Sequence, residues 1–427
     1  MPPPPPRLES SGTFRSLRVP NYRRWAAGAF VSNVGTWMQR TAQDWLVLAE
    51  LTHQSATALG LVMALQFGPS LLLLPVTGWA ADRLDRRKIL LVTQSVMGLL
   101  ALSLGVLTVT GTAQLWHVCV FAFVLGCTTA FDAPARQSFV SELVGPADLP
   151  NAIALNSMSF QSGRLIGPAV AGVVVSAVGS GVAFLLNAAS FAAVLAALAR
   201  LRVAELHRSE PKVESDRGGV LDGVRAVAGS PTLRTVLTML FLVTTFGLNF
   251  PIFISTMAVG VFRLDAHHFG FLSSLLAVGA VAGALLSARR AEPSLGVVTA
   301  GATVFGLGCL AAAVMPTVIA FGAVLVVVGL ASQTFMTTSN SLVQLGTDPA
   351  RRGRVLALYL AIALGTTPLG APIVGRVADV FGPRWALGVG AAAGLAAAAV
   401  GWWRLRRRAV PEPSATAGRV GVGDDRA

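Results

Sequence analysis

The chain has 427 residues, of which 54% are hydrophobic and 12% charged, and its formal net charge is +13. Soluble domains carry about 25% charged residues, so the composition excludes an ordinary soluble fold and points to a membrane protein. The three cysteines, Cys119, Cys127 and Cys309, stand in apolar runs without metal-ligand spacing, which leaves no basis for a disulfide framework or a zinc site.

In chain order, the opening MPPPPPRLESSGT is followed by neither an apolar core nor a small-residue cleavage site. Residues 1–22 are therefore expected to be a disordered cytoplasmic tail and not a signal peptide. Apolar windows of roughly 18 residues, long enough to cross a ~30 Å hydrocarbon core as helix, predict six spans at 25–48, 58–80, 89–110, 115–134, 152–178 and 180–201. A polar cytoplasmic linker over 202–230 separates them from six more at 233–260, 269–288, 295–315, 318–340, 355–380 and 385–403. The expected architecture is an all-α membrane protein of twelve transmembrane helices in two six-helix halves, 23–201 and 231–405, with a second disordered tail over 406–427.

The basic residues agree with this division. With the N-terminus inside, the clusters at 7–24, 83–88, 200–234, 289–290, 351–354 and 404 onward, together with Arg136, all fall on the cytoplasmic side. Both termini are expected there. The net charge of +13 thus expresses membrane topology, and no nucleic-acid partner is implied. Trp25, Trp79, Trp402 and Trp403 at inner span ends, and Trp45, Trp116 and Trp385 at outer ones, form the belts typical of membrane interfaces.

The halves also resemble each other. LNSMSFQSGRLIGPAVAG (155–172) and LYLAIALGTTPLGAPIVG (358–375) align Leu155 with Leu358, Gly167 with Gly370 and Gly172 with Gly375. Parallel repeats of this kind place a pseudo-two-fold axis along the membrane normal and suit alternating access around a site near the midplane.

Polar stripes mark that site. The fifth span carries Ser157, Gln161, Arg164 and Pro168 along one side, about 100° from the face bearing Gly163 and Gly167. Small residues at 163 and 167 let another helix approach closely, and Pro168 frees backbone groups that the bundle must satisfy. Arg164 lies at the span centre, where a lipid-facing arginine costs at least ~2.5 kcal/mol, so it is expected to face a water-accessible cavity. The first span adds Asn33, Thr36, Arg40 and Asp44, with Arg40 and Asp44 spaced to pair with each other. The seventh adds Thr245, Asn249 and Thr256, and the tenth Gln333, Thr337 and Asn340. Arg164, Gln161, Arg40, Asp44, Asn249 and Gln333 are the candidate substrate and coupling residues, although Asn249 and Gln333 could equally join helices. His267 and His268 are read as solvated loop residues.

The loop GWAADRLDRRK (78–88) resembles the signature loop of the major facilitator superfamily, commonly written GxLaDrxGrrk. Gly78, Asp82, Arg83, Arg86, Arg87 and Lys88 match it, while Asp85 stands at the glycine position. FDAPARQSFVSELVGPADLPNAIALNS (131–157) is similar to the transmembrane secretion effector branch, to which the enterobactin exporter belongs, and that similarity covers roughly residues 13–405. The resemblance implies a cytoplasmic gate in which Asp82 faces a helix N-terminus and the bases pair with an acid near the fourth span, with Asp132 the expected partner and Arg136 beside it. GRLIGPAVAG resembles the antiporter motif GxxxGPxxGG through Gly163, Gly167, Pro168 and Gly172, with Ala171 replacing one glycine. Proton-driven export of small amphipathic molecules, drug-like or siderophore-like, follows from the resemblance. An importer or facilitator of a small polar or anionic nutrient is the alternative, since a central arginine also holds a carboxylate.

No GxSxG, HExxH or paired intramembrane aspartates occur on the spans, so no enzyme activity is expected. The expected setting is the bacterial cytoplasmic membrane, with a monomer in the lipid bilayer handling a small-molecule substrate. No cofactor is expected, and the proton gradient would supply the driving force.

Overall fold

A computed structural model describes residues 13–73, 76–77, 80, 83–207, 220–289, 292–348 and 351–409. Its long helices are α1 (Pro20–Trp45), α2 (Ala56–Leu72), α3 (Arg86–Val109), α4 (Leu115–Leu143), α5 (Leu149–Val178) and α6 (Ser180–Ala199), then α7 (Pro231–Val261), α8 (Ala266–Ala288), α9 (Leu295–Val314), α10 (Val318–Leu345), α11 (Arg352–Phe381) and α12 (Pro383–Ala409). No strand occurs among the described residues. Ten of these helices are long and apolar enough to cross a membrane. The other two are α1, whose 26 residues include Arg23, Arg24, Arg40 and Asp44, and α2, which has 17 residues. The chain is a multi-pass membrane protein with twelve long helices among the described residues.

Local chemistry sets the helix ends. Pro20 and Pro231 open α1 and α7, where a missing amide proton is harmless. Ser55, Asp265, Ser294 and Thr317 cap α2, α8, α9 and α10 by accepting from the amide three residues on. Asp85 does the same for α3 at 3.1 Å from the Lys88 amide, so the glycine position of the signature loop is filled here by a capping carboxylate. Gly179 (φ +87°) and Gly382 (φ +101°) make the tight turns from α5 to α6 and from α11 to α12. A left-handed backbone favours glycine, and the two positions correspond in the repeat.

Lipid supplies no hydrophobic force between helices, so close packing rests on small residues. A Cβ on Gly279 of α8 would meet the Val326 carbonyl carbon of α10 at 2.7 Å, and Gly306 of α9 lies under Gly394 of α12 in the same manner. Outward-facing Val92, Leu99, Val314 and Ile319 are exposed to the bilayer. We call the end of the bundle near Arg23, Arg86 and Arg354 the basic end, and the other the far end.

Three expectations need correction. Residues 13–22, expected within a disordered tail, are held in place. Arg15 pairs with Asp148 at 3.2 Å, Ser16 Oγ donates to Asn151 Oδ1 at 2.8 Å, and Tyr22 OH donates to the Ala152 carbonyl at 2.8 Å. The linker contains a further helix, Val220–Gly229, tied to α11 through Arg354 and Asp222 at 3.3 Å, and α12 continues to Ala409, beyond the expected boundary at 405. Finally, α7 and α11 are interrupted spans. α7 winds loosely over Val243–Gly247 and breaks at Leu248 and Asn249 before Pro251, while α11 breaks at Thr366 before Pro368. The breaks meet, with Thr244 and Thr366 hydroxyls 2.9 Å apart and Thr367 Oγ1 donating to the Thr244 carbonyl at 3.3 Å, which satisfies part of the backbone that the prolines free.

Candidate functional site

The glycine face of α5 brings the site together. A Cβ on Gly163 would lie 2.8 Å from the Asn33 carbonyl carbon, and one on Gly167 would lie 2.5 Å from Trp37 Cβ, so α1 and α5 touch backbone to backbone. Asn33 Nδ2 adds a hydrogen bond to Ser159 Oγ at 2.9 Å. This contact sets the two arginine-bearing stripes side by side. Arg40 Cζ lies 4.9 Å from the Trp37 ring centroid and 5.5 Å from that of Phe67 on α2, and Arg164 Cζ lies 5.8 Å from the Trp37 ring.

Among the described residues neither guanidinium has a hydrogen-bond acceptor, and Arg40 Nε is buried without one. Asp44 is within Coulombic reach of Arg40, as is Arg164, yet no hydrogen bond or ion pair joins Arg40 to Asp44. The pairing that their spacing allows is not formed. Both arginines, Asp44 and Gln161 are half-buried. Two intramembrane cations thus stand beside aromatic rings with hydrogen-bond donors unused among the described residues. Trp37 and Phe67 were missed in the sequence reading. The signal for Trp37 was its position, three residues before Arg40 on one helix face and away from both interfacial belts.

Other candidates lie elsewhere. Asn249 is fully buried at the α7 break, its Nδ2 donating to the Thr245 carbonyl at 2.9 Å. Gln333, half-buried on α10, donates to Thr337 Oγ1 at 3.2 Å. Gly172 leaves α1 and instead packs on Ala266 and His267 of α8, joining the two halves at the far end. Gly270 sits against Gly172 and the Pro168 carbonyl, and Ser274 Oγ donates to the Leu165 carbonyl at 3.0 Å. Toward the basic end, α5 leaves Ile153, Met158 and Phe160 exposed.

The basic loop is wired differently from expectation. Gly78 and Asp82 lie outside the described residues. Arg86 pairs with Glu142 at 2.6 Å, and Arg87 donates twice to the Leu198 carbonyl, at 3.1 and 3.0 Å. Asp132, the expected partner of the loop, is taken by Arg136 at 3.0 Å and accepts from Thr93 at 2.8 Å and Gln94 at 2.7 Å. The reason is local, because Arg136 is one turn along the same helix and is held over the Trp25 ring at 5.7 Å. Arg83 also has a partner, and Lys88 lines a cavity of about 620 Å³ with Arg83 and Asp85.

Comparison with known proteins agrees with the fold. The family of transmembrane secretion effectors matches residues 11–417. The staphyloferrin A transporter of Staphylococcus aureus is 27% identical over 365 residues, covering 83% of this chain and 89% of that protein. The enterobactin exporter of Shigella flexneri is 25% identical over 373 residues, covering 85% and 86%. The inward-facing, unoccupied crystal structure of a bacterial homologue of the human lysosomal transporter Spinster has a TM-score of 0.71 at 16% identity, covering 91% of this chain and 97% of that one, and shares the fold. The chain therefore belongs to the transmembrane secretion effector family of the major facilitator superfamily, and is a membrane transporter and not an enzyme.

Proposed function

We propose that the protein is a secondary active transporter that exports small amphipathic molecules, siderophore-like or drug-like, across the bacterial cytoplasmic membrane by proton antiport. The observation that carries this reading is the pair of guanidiniums, Arg40 and Arg164, beside Trp37 and without acceptors among the described residues. An anion with an aromatic or apolar body satisfies both features of the site. Relatives named as a staphyloferrin A transporter, an enterobactin exporter and a multidrug efflux pump support both the siderophore-like and the drug-like class.

The basic end is cytoplasmic on this reading, with both termini there. The halves meet toward the far end through Gly172 and Gly270 and near mid-span through Ser274 and the Leu165 carbonyl, and the exposed inner part of α5 lines a path from the cytoplasm to Arg164. Rocking about the α5–α8 and α2–α11 contacts then exposes the same arginines to the other side. Asp44, one turn from Arg40, is the coupling acid. Antiport follows where the ionised Asp44 carboxylate accepts a hydrogen bond from the bound substrate, since protonation removes that acceptor and favours release. The chain works as a monomer, with no cofactor beyond the proton gradient.

Transport in inverted membrane vesicles tests this. With an acidic lumen, labelled enterobactin or staphyloferrin A, or a compound from a deletion-strain sensitivity screen, should accumulate inside and cease to do so when the gradient is collapsed. Accumulation in right-side-out vesicles alone would establish the importer instead.

A further inference from the structure

The signature-loop pattern occurs a second time in the chain. Gly375, Ala378 and Asp379 repeat the spacing of Gly78, Ala81 and Asp82, after which Gly382 stands at the glycine position of the motif and Arg384 matches Arg87. The first copy follows α2 at the basic end. The second lies at the last turns of α11, at the far end, and its aspartate reaches into the other half of the molecule.

Asp379 caps α2. Its carboxylate accepts from the Ala56 amide at 2.7 Å, the Thr57 amide at 2.9 Å, the Thr57 hydroxyl at 2.5 Å and the Ser55 hydroxyl at 3.3 Å. Ser55 Oγ itself covers the Ala58 amide at 3.3 Å. Of the amide donors that every helix N-terminus leaves open, two are thus satisfied by a residue more than 300 positions away, and the negative charge lies against the positive end of the helix dipole. Glycines deliver it there. One turn back, Gly375 touches Ala56 and Thr57, where an added Cβ would stand 2.9 Å from Thr57 Cα, and Gly60 makes the reciprocal approach to Ala371 and Pro372.

We infer that Asp379 is the far-end latch of the transport cycle, a positioning residue that holds the two halves together in the state seen here and must let go of α2 for the far end to open. The inference rests on the rocking motion proposed above. The carboxylate is solvent-exposed and borders a cavity of about 480 Å³ together with His53, Gln54, Thr256 and Pro383. Water can therefore replace α2 as its partner, so the latch is releasable. A capping carboxylate contributes roughly 0.5–2 kcal/mol, so its removal should shift the ratio of closed to open far ends roughly two- to thirty-fold.

The test is a far-end distance measurement in nanodiscs. Spin labels at Thr112→Cys and Val314→Cys, on the far-end side of each half, are placed in a background with Cys119, Cys127 and Cys309 replaced. The wild-type background should populate a short and a long distance, the short one dominant. Asp379→Ala and the shape-preserving Asp379→Asn should raise the long population by the stated factor, Asp379→Glu should restore part of the short one, and Thr57→Val, which leaves both amide bonds, should change it least. Two distances in the wild type with unchanged populations in both Asp379→Ala and Asp379→Asn would overturn the latch while leaving rocking intact. A lowered Tm with unmoved distances would likewise make Asp379 a structural cap and no latch. A single wild-type distance at every pH and with or without enterobactin would overturn rocking, and the latch with it.

Discussion

Arg164→Ala should weaken substrate binding roughly ten- to hundred-fold and leave the protein folded. Arg164 lies midway along the 30 residues of α5, roughly 22 Å from either end at about 1.5 Å per residue, so its guanidinium cannot reach either interface. Among the described residues it has no hydrogen-bond acceptor, and its one ring contact is with Trp37 at 5.8 Å. Removing it therefore strands no protein acceptor, and the lost cation–π contact is worth only about 0.5–1 kcal/mol where water has access. The larger loss falls on the ligand, because a hydrogen bond to a charged group contributes about 1.5–3 kcal/mol net, which is about ten- to hundred-fold in affinity. Arg164→Lys keeps the charge but not the planar fork, and should fall between the two. Equilibrium titration of a transported compound in nanodiscs, with Tm measured on the same samples, reads both quantities. Wild-type affinity in a well-folded Arg164→Ala, or unfolding of that variant, would refute the reasoning.

Asp44→Asn should abolish transport driven by a pH gradient while leaving counterflow measurable, since only the exchangeable proton is lost; equal loss of both would remove Asp44 from coupling. Glu142→Ala should remove the charged partner 2.6 Å from Arg86, whose side chain is only 14% exposed, and lower stability by about 1.5–3 kcal/mol, seen as a lower thermal midpoint that Glu142→Gln partly restores. Gly270→Val should place a branched side chain against the Pro168 carbonyl and Gly172, preventing far-end closure and transport without preventing membrane insertion, as judged by cross-linking of α5 to α8. In the far-end loop, hydrogen bonds from the His268 ring and amide hold the Asp265 carboxyl below the usual carboxylate range. Its stabilising contribution is therefore complete above the ordinary aspartate value of about 4 and lost as pH falls through the lowered one. Hydrogen exchange at the start of α8 should rise only in that acidic window, and Asp265→Asn should remove the dependence.

Hydropathy and basic-loop periodicity were sufficient to read the helix count, because lipid requires long apolar helices and topology follows charge. They could not reveal what happens inside a span. The breaks in α7 and α11 carry proline and glycine signals, at Gly247 and Pro251 and at Gly365 and Pro368, which an apolar window averages away. The stripes on α1 and α5 named Arg40 and Arg164 as candidates, and small residues at 163 and 167 signalled the close approach of a helix without saying which one. Their shared partner Trp37 was passed over because it was counted as apolar bulk. Asp132 was given to the wrong base for the opposite reason, in that a distant charge cluster was weighed above Arg136 one turn away. Asp379 was not legible from the repeat because the two copies of its motif stand at opposite ends of the bundle, which a parallel repeat does not relate.

The most direct measurement is the accessibility of Gln161→Cys, on the same face of α5 as Arg164, in a background lacking the native cysteines. A membrane-impermeant thiol reagent should label it in inverted vesicles, where the basic end is exposed, and bound substrate should slow the labelling. No labelling from either side, or labelling only in right-side-out vesicles at rest, would contradict an arginine-lined cavity open at the basic end.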